Sequence, residues 1–193
     1  MSSPLSFAIV ELTSAKFSVR ASAAGEIYRA GKALADGAAI HWWSDAELSG
    51  LLYAPNPALT VGLAVGREVF ARIREANESP RLAEVPPDQD AEEFELHFPE
   101  GVSLDVLTTR APGGTGAIAR YLEKFQEGVQ QVEFPCSNVD RATKILSEKF
   151  DVAAIYPQAR SGADRTRVNF FLVPSVAGSK VLVELCEGPG ASR

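Results

Sequence analysis

The feature that most constrains this chain is an internal repeat. A strand at 58–65, a helix at 67–76 and strands at 93–98 and 102–109 make one run. After a helix at 117–125 the run recurs: a strand at 129–134, a helix at 137–150, then strands at 152–156, 167–173 and 180–185. The spacing is roughly 70 residues, long for a solenoid repeat but short enough that neither copy buries its apolar faces alone. Each assignment rests on periodicity. Phe94, Leu96 and Phe98 alternate with Glu93, Glu95 and His97, as in a half-buried strand. Val69, Ile73 and Ala76 form a helical stripe, as do Val139, Ala142, Leu146 and Phe150. Ser79-Pro80 and Pro86-Pro87 bracket a further short strand, and Pro112-Gly113-Gly114 reads as a hinge.

Ahead of the repeats, residues 1–57 read as an N-terminal extension. Strands are expected at 6–12, 17–21 and 39–43, a helix at 25–36, and a short helix after the Ser44-Asp45 cap. Pro55-Asn56-Pro57 closes this stretch. The remainder, 58–193, is read as one domain: repeat one at 58–110, a linker helix within 114–127, and repeat two at 128–187. The fold class expected is α+β, with a curved, mostly antiparallel sheet and helices outside.

Composition removes several function classes. Hydrophobic residues are 46% of 193, enough for a core and too many for a disordered chain. No apolar run approaches the ~20 residues of a membrane helix. A net charge of -6 argues against nucleic-acid binding. Two cysteines supply neither a disulfide framework nor a four-thiolate zinc site. The start lacks the basic n-region of a signal peptide. The expected protein is cytoplasmic, with a small-molecule partner, no nucleic acid and no membrane.

Alternation also sorts side chains by face. Glu93, Glu95 and His97 share one face, Ser103 and Asp105 another such face, and Gln131 lies with Glu133 and Leu182 with Glu184. If helices cover the other side, these residues line an acidic, amide-rich inner surface. Asp105 with Glu184 is a candidate carboxylate pair. Two close carboxylates raise one pKa, which suits proton transfer beside a carbonyl, and they equally suit Mg²⁺, Mn²⁺ or Ca²⁺. Arg160, Arg165 and Arg167 flank a glycine-containing loop, as a phosphate clamp or a solvated hairpin. Cys136 and Cys186 read as structural, and Gly113-Gly114-Thr115-Gly116 as a hinge rather than a phosphate loop.

Several phrases resemble the vicinal oxygen chelate (glyoxalase/bleomycin resistance/dioxygenase) superfamily, with methylmalonyl-CoA epimerase as the nearest member. They are Leu59 to Val65, Ala117 to Phe125, Gly128 to Phe134, Ser137-Asn138-Val139-Asp140, Arg167 to Pro174 and Gly178 to Leu185. The resemblance covers about 58–187 and implies a half-barrel sheet and a homodimer. It also implies a metal held by His, Gln, His and Glu, positions that fall here on Thr60, Asp105, Gln131 and Glu184. Both histidines are replaced, and hydroxyl and amide oxygens are weak ligands for a borderline transition metal. No metal or other cofactor is therefore expected, with a hard divalent ion as the alternative. Glu184 and Asp105 are the expected catalytic pair. Thr60, Gln131, Glu93, His97 and Asn169 are the expected substrate contacts. The function expected is an isomerase or lyase using metal-independent acid/base chemistry on a small carbonyl or carboxylate metabolite. The alternatives are a non-catalytic, drug-resistance-like binding protein and a Mg/Mn-dependent epimerase-like enzyme.

Overall fold

The computed structural model describes residues 4–54, 58–174 and 180–189. The break expected at 55–57, and Gly178-Ser179 of the last resembling phrase, lie outside the described residues. The chain divides into two compact units, 1–31 with 60–130 and 32–59 with 131–193. Residues 1–31 cluster with repeat one, and residues 32–59 with repeat two.

The α+β class is the one observed, and the two repeats have the same internal topology. In the first unit, β1 (Thr60–Ala64) leads through α4 (Arg67–Ala76) to the hairpin of β2 (Ala91–Phe98) and β3 (Val102–Thr109). β1 runs parallel to β3, and β2 antiparallel to it. In the second, β4 (Gly128–Pro135) leads through α6 (Val139–Phe150) to β6 (Arg167–Pro174) and β7 (Lys180–Glu187). β4 runs parallel to β7, and β6 antiparallel to it. Each repeat therefore places its last strand between its first and its hairpin partner, and the helix with the hairpin strand supplies the long connection that the parallel pair needs. The linker helix, α5 (Ala117–Phe125), forms as expected.

Each three-stranded core has one helix-covered face. In repeat one Leu63, Phe94, Leu104 and Val106 are buried there, and Phe70 of α4 meets Phe94 edge-on at 4.8 Å. In repeat two Val132, Phe134, Val183, Leu185 and Phe171 are buried on the side of α6, which contributes Val139, Ala142, Ile145 and Leu146. Burying a side chain of this size contributes ~1.5–3 kcal/mol, so these faces fix the strand register. Gly101, at φ 73, follows Glu100 in the tight β2–β3 connection.

The N-terminal stretch departs from expectation. The strands expected at 6–12 and 17–21 are helical: α1 (Pro4–Glu11) and α2 (Phe17–Ala38). A short apolar run is ambiguous by composition, but Ala8, Ile9 and Leu12 are buried while Phe7 and Val10 are exposed, which is helical spacing. In α2 the helix extends well before residue 25 because Ala21, Ala23 and Ala24 favour it. Gly31 sits where a Cβ would lie 2.5 Å from both Cγ atoms of Val61, so the helix packs on β1 only with glycine there. Arg20, buried, donates to Asn77 Oδ1 at 2.9 Å and to the Ser14 carbonyl at 2.9 Å. In the second unit, 39–43 is not a strand: Trp42–Ser44 is a single 3-10 turn that buries Trp42 against Phe134, with ring centroids 6.1 Å apart. The short helix after it, α3 (Ala46–Leu51), has Asp45 as its N-cap, accepting from Leu48 N at 2.8 Å.

Two further strands are corrected. Residues 81–85 are irregular, tied to β2 through Ala83 N donating to the Glu93 carbonyl at 2.9 Å. At 152–156 only a single bridge forms, Ala154 with Phe171. The edge of the second unit is instead the two-residue β5 (Arg160–Ser161), antiparallel to β6. Among the described residues no helix is long and apolar enough to cross a membrane.

Candidate functional site

In repeat two, register places side chains in rows on the face opposite α6. Glu133 of β4, Glu184 of β7 and Phe170 of β6 are Cα partners and share that face. Leu172 pairs with Leu182 in the row on one side, and Arg160, Val168 and Cys186 form the row on the other. Gln131, two residues before Glu133, points the same way and donates from Nε2 to Glu184 Oε2 at 2.5 Å. Gln131 is 8% and Glu184 7% exposed. A charged group so buried is retained only where it is hydrogen-bonded, and the Gln131 amide does this while fixing the carboxylate's rotamer.

Cys186 belongs to this polar set. Burial is the main reason its thiol is pushed well above the ordinary thiol range, and the charges of Glu133 and Glu184 add to the effect. The thiol is thus a neutral neighbour of two carboxylates rather than a nucleophile. Cys136 is likewise pushed up, to about 11, chiefly by burial.

Asn169 does not join this face. It pairs with Leu185, is fully buried on the α6 side, and donates from Nδ2 to the Tyr156 carbonyl at 3.3 Å and weakly to Thr143 Oγ1 at 3.5 Å. The expected substrate contact is therefore a brace between β6, α6 and the 152–156 segment; alternation from Glu184 across the pair was the signal that placed it there. Glu187 is on that side too, 2% exposed. Its Oε2 accepts from Val139 N at 2.9 Å and from Arg167 Nη1 at 3.1 Å, which closes the first turn of α6.

Repeat one presents the corresponding face with different burial. Asp105 pairs with Gly62 of β1 and Glu95 of β2, and His97 pairs with Ser103. Glu93 and Thr60 are half-buried, and Asp105 is 8% exposed. His97 lies at the open end: its side chain is 67% exposed, with Nδ1 3.1 Å from Ser103 Oγ and Nε2 3.1 Å from Glu95 Oε2. Thr60, Glu93, His97 and Asp105 thus share a face in repeat one, as Gln131 and Glu184 do in repeat two. Among the described residues no group of three or more His, Cys, Asp or Glu side chains is arranged to hold a metal ion. Phe170, which no motif singled out, joins the Glu184 row, and the guanidinium carbon of Arg160, one arm of the expected phosphate clamp, lies 4.7 Å from the Tyr156 ring centroid. Strand register reveals Phe170.

No family model matches the chain, and no curated protein matches it. Solved structures do share its fold. A methylmalonyl-CoA epimerase from Mycobacterium tuberculosis is 28% identical, over 67% of this chain and 86% of its own, with a TM-score of 0.55. A Streptomyces coelicolor methylmalonyl-CoA epimerase variant in complex with 2-nitronate-propionyl-CoA is 22% identical, over 68% and 96%, with a TM-score of 0.55. A hypothetical protein from Bacillus halodurans is 20% identical, over 69% and 95%, with a TM-score of 0.56.

Proposed function

We propose that this chain is a glyoxalase-superfamily enzyme of the epimerase type, moving a proton at the carbon beside a carbonyl, with Glu184 as the proton-transferring group. The observation that carries the reading is Glu184 itself: a buried carboxylate in an apolar strand, oriented by the Gln131 amide, on the face its helix leaves open. Similarity to methylmalonyl-CoA epimerases supports the reaction class.

The chemistry follows from the groups present. The Glu184 carboxylate takes the proton, and the C–H bonding pair moves into an enolate whose negative charge rests on the carbonyl oxygen. Gln131 keeps the carboxylate on one rotamer, so its approach to carbon is set before substrate arrives. Glu184, once its proton has exchanged with solvent, returns one to the carbon and the enolate collapses to the carbonyl; Asp105 lies in the other unit and is given no step.

The transition metal that the resemblance implies does not fit. The four corresponding positions carry Thr60, Asp105, Gln131 and Glu184, with no imidazole. Gln131 also turns its donor nitrogen to Glu184, spending a carboxylate lone pair on a hydrogen bond. We therefore take the proton transfer to be metal-independent.

The test is α-proton exchange of methylmalonyl-CoA in deuterated water, followed by NMR. Wild type incorporates deuterium at the α-carbon after exhaustive chelation. Glu184→Gln loses about 10²–10⁴ of that rate while binding within about tenfold of wild type. Full exchange by the variant removes Glu184 as the base. Binding with no exchange by wild type leaves ligand sequestration as the function, and exchange restored only by Mg²⁺ or Mn²⁺ returns the site to hard-metal chemistry.

A further inference from the structure

We infer that the cleft between α4 and the helix-covered face of β2 and β3 is a second ligand site, built for a free α-amino acid with an apolar side chain. The cleft encloses about 270 Å³, and its lining residues fall within 67–108, so it belongs to the first unit alone and is independent of the Glu184 reading. Its inner wall carries a charge where the sheet face is otherwise apolar. Glu92 of β2 pairs with Thr108 and lies on the side of Phe94 and Val106, the side that α4 covers. The Glu92 side chain is only 30% exposed. Among the described residues its one charge contact is Arg67 Nη1, at 3.9 Å, which is beyond hydrogen-bond reach. Arg67 Nη1 is itself committed to the Thr109 and Arg110 carbonyls, donating to each at 3.1 Å. Those two bonds fix the guanidinium beside Glu92. Among the described residues Arg67 Nε and Nη2 donate to nothing, and the Glu92 carboxylate accepts nothing.

A half-buried carboxylate without a hydrogen bond is costly, and a donor on a ligand relieves that cost. A guanidinium anchored through one nitrogen keeps its other N–H groups for a carboxylate. Arg67 and Glu92 stand side by side, as the carboxylate and ammonium of an α-amino acid do, so one such head group satisfies both. The charge balance agrees. Arg74 and Glu75 also line the cleft, further along α4, so its lining holds two cations and two anions. A neutral balance of fixed charges favours a zwitterion over an ion of either sign. Arg74 is tied down in turn, its Nε donating to the Pro80 carbonyl at 2.8 Å. Positions 67, 70, 71 and 74 share one face of α4 over ~10 Å. Phe70 and Ala71 thus lie between the two arginines, and Leu82, 37% exposed, adds apolar surface to the lining. That surface suits an aliphatic or aromatic side chain. The volume sets the size, since it falls just below the ~300–1,000 Å³ of drug-sized sites and so suits a single amino acid rather than a large cofactor.

Calorimetric titration of the full chain with L-leucine, L-methionine and L-phenylalanine tests the site, with isocaproate and isoamylamine as leucine lacking its amine or its carboxylate. At least one of the amino acids is expected to bind with a Kd of about 10 μM–1 mM. Each half of leucine should bind at least about tenfold more weakly, because one of two charge-assisted contacts is gone. Glu92→Gln is expected to weaken amino-acid binding about tenfold to a hundredfold, and Arg67→Gln by a similar factor. Arg67 also braces the end of β3, so the isosteric Glu92→Gln decides the matter if Arg67→Gln melts early. Ala71→Phe, at an exposed position of α4, fills the cleft and should abolish binding. Glu184→Gln should bind the amino acid as wild type does, so this site and the proton-transfer reading stand or fall separately. The absence of saturable binding of all three amino acids by wild type overturns the site. Binding that Glu92→Gln and Ala71→Phe leave unchanged overturns it too. Isocaproate binding as tightly as leucine does the same, because the ammonium would then have no partner.

Discussion

The two repeats share a topology and differ in where they bury polarity. Repeat two buries one polar pair on the face opposite α6: Gln131 and Glu184 are less than a tenth exposed and hydrogen-bonded to each other. In repeat one Glu95 and His97 are more than half exposed, while Asp105 and Thr109 of β3 are buried on the same face. Desolvating a carboxylate costs several kcal/mol unless it is well compensated, so a fold retains one where it serves a purpose. Exposed polar residues on a strand need no such account. On the proposed reading, then, buried carboxylates and not residue type are the guide to the proton-transferring group.

The largest expected effect tests that asymmetry directly. Glu184→Gln should cost about 10²–10⁴ in α-proton exchange, as an acid/base group does. Asp105→Asn should also be costly if its burial reports function. If Asp105→Asn exchanges as fast as wild type, repeat one contributes no proton-transfer group. If instead Asp105→Asn is crippled while Glu184→Gln is not, burial in repeat two has a structural cause and the comparison reverses.

A smaller effect compares how the two crossover helices are started. In repeat two, buried Glu187 accepts from Val139 N at the first turn of α6. In repeat one, half-buried Glu127 accepts from Gly66 N, at the N-cap of α4, at 2.9 Å. Both carboxylates meet the positive end of a helix, but removing the more buried one orphans groups that water cannot reach. Glu187→Ala should lower unfolding free energy by about 1–3 kcal/mol, and Glu127→Ala by less than about 1 kcal/mol. Chemical denaturation with matched m-values measures both. Equal losses would mean that burial at these caps is immaterial.

Much of this was legible in the residues. Alternation in 93–98, 129–134 and 180–185 gave strands whose faces the structure keeps, because a one-residue slip would have turned Phe94 or Val183 to solvent. The face of Gln131 and Glu184 followed from the same period. The N-terminal stretch was misread because its apolar positions fit both periods over so few residues, and Ala8, Ile9 and Leu12 reveal a helix only once a surface to pack on is known. Asn169, expected as a substrate contact, lies on the α6 side because its strand partner, Leu185, fixes its side. The Arg160–Tyr156 pair depends on a two-residue edge strand, too short to leave any periodic trace.

Acid should act on the second unit through its surface carboxylates. Lys149 Nζ lies 2.5 Å from Asp45 Oδ2, and this hydrogen bond is the main reason the Asp45 carboxyl is held below its ordinary 3.8, with the Leu48 amide adding to it. A carboxyl with a depressed folded pKa contributes stability above its unfolded pKa, and that contribution is lost as pH falls through the folded value. The melting temperature of wild type should therefore exceed that of Asp45→Asn at pH 6, and the gap should close progressively below about pH 4. A gap that persists at pH 2 would assign the difference to the shape of the α3 cap rather than to charge.

The smallest expected effect is a near-zero, and it is informative for that reason. His97 stands at the open end of the repeat-one face, in contact with Ser103 and Glu95, its side chain 67% exposed. An exposed strand residue with such partners contributes within about 0.5 kcal/mol. His97→Ala should therefore leave the denaturation midpoint, the α-proton exchange rate and ligand affinity at wild-type values. A tenfold drop in exchange without a change in stability would bring the exposed end of repeat one into the chemistry. Burial would then no longer serve as the guide to which repeat carries the reaction, because a wet histidine would be acting on a substrate that the enclosed face was supposed to hold by itself.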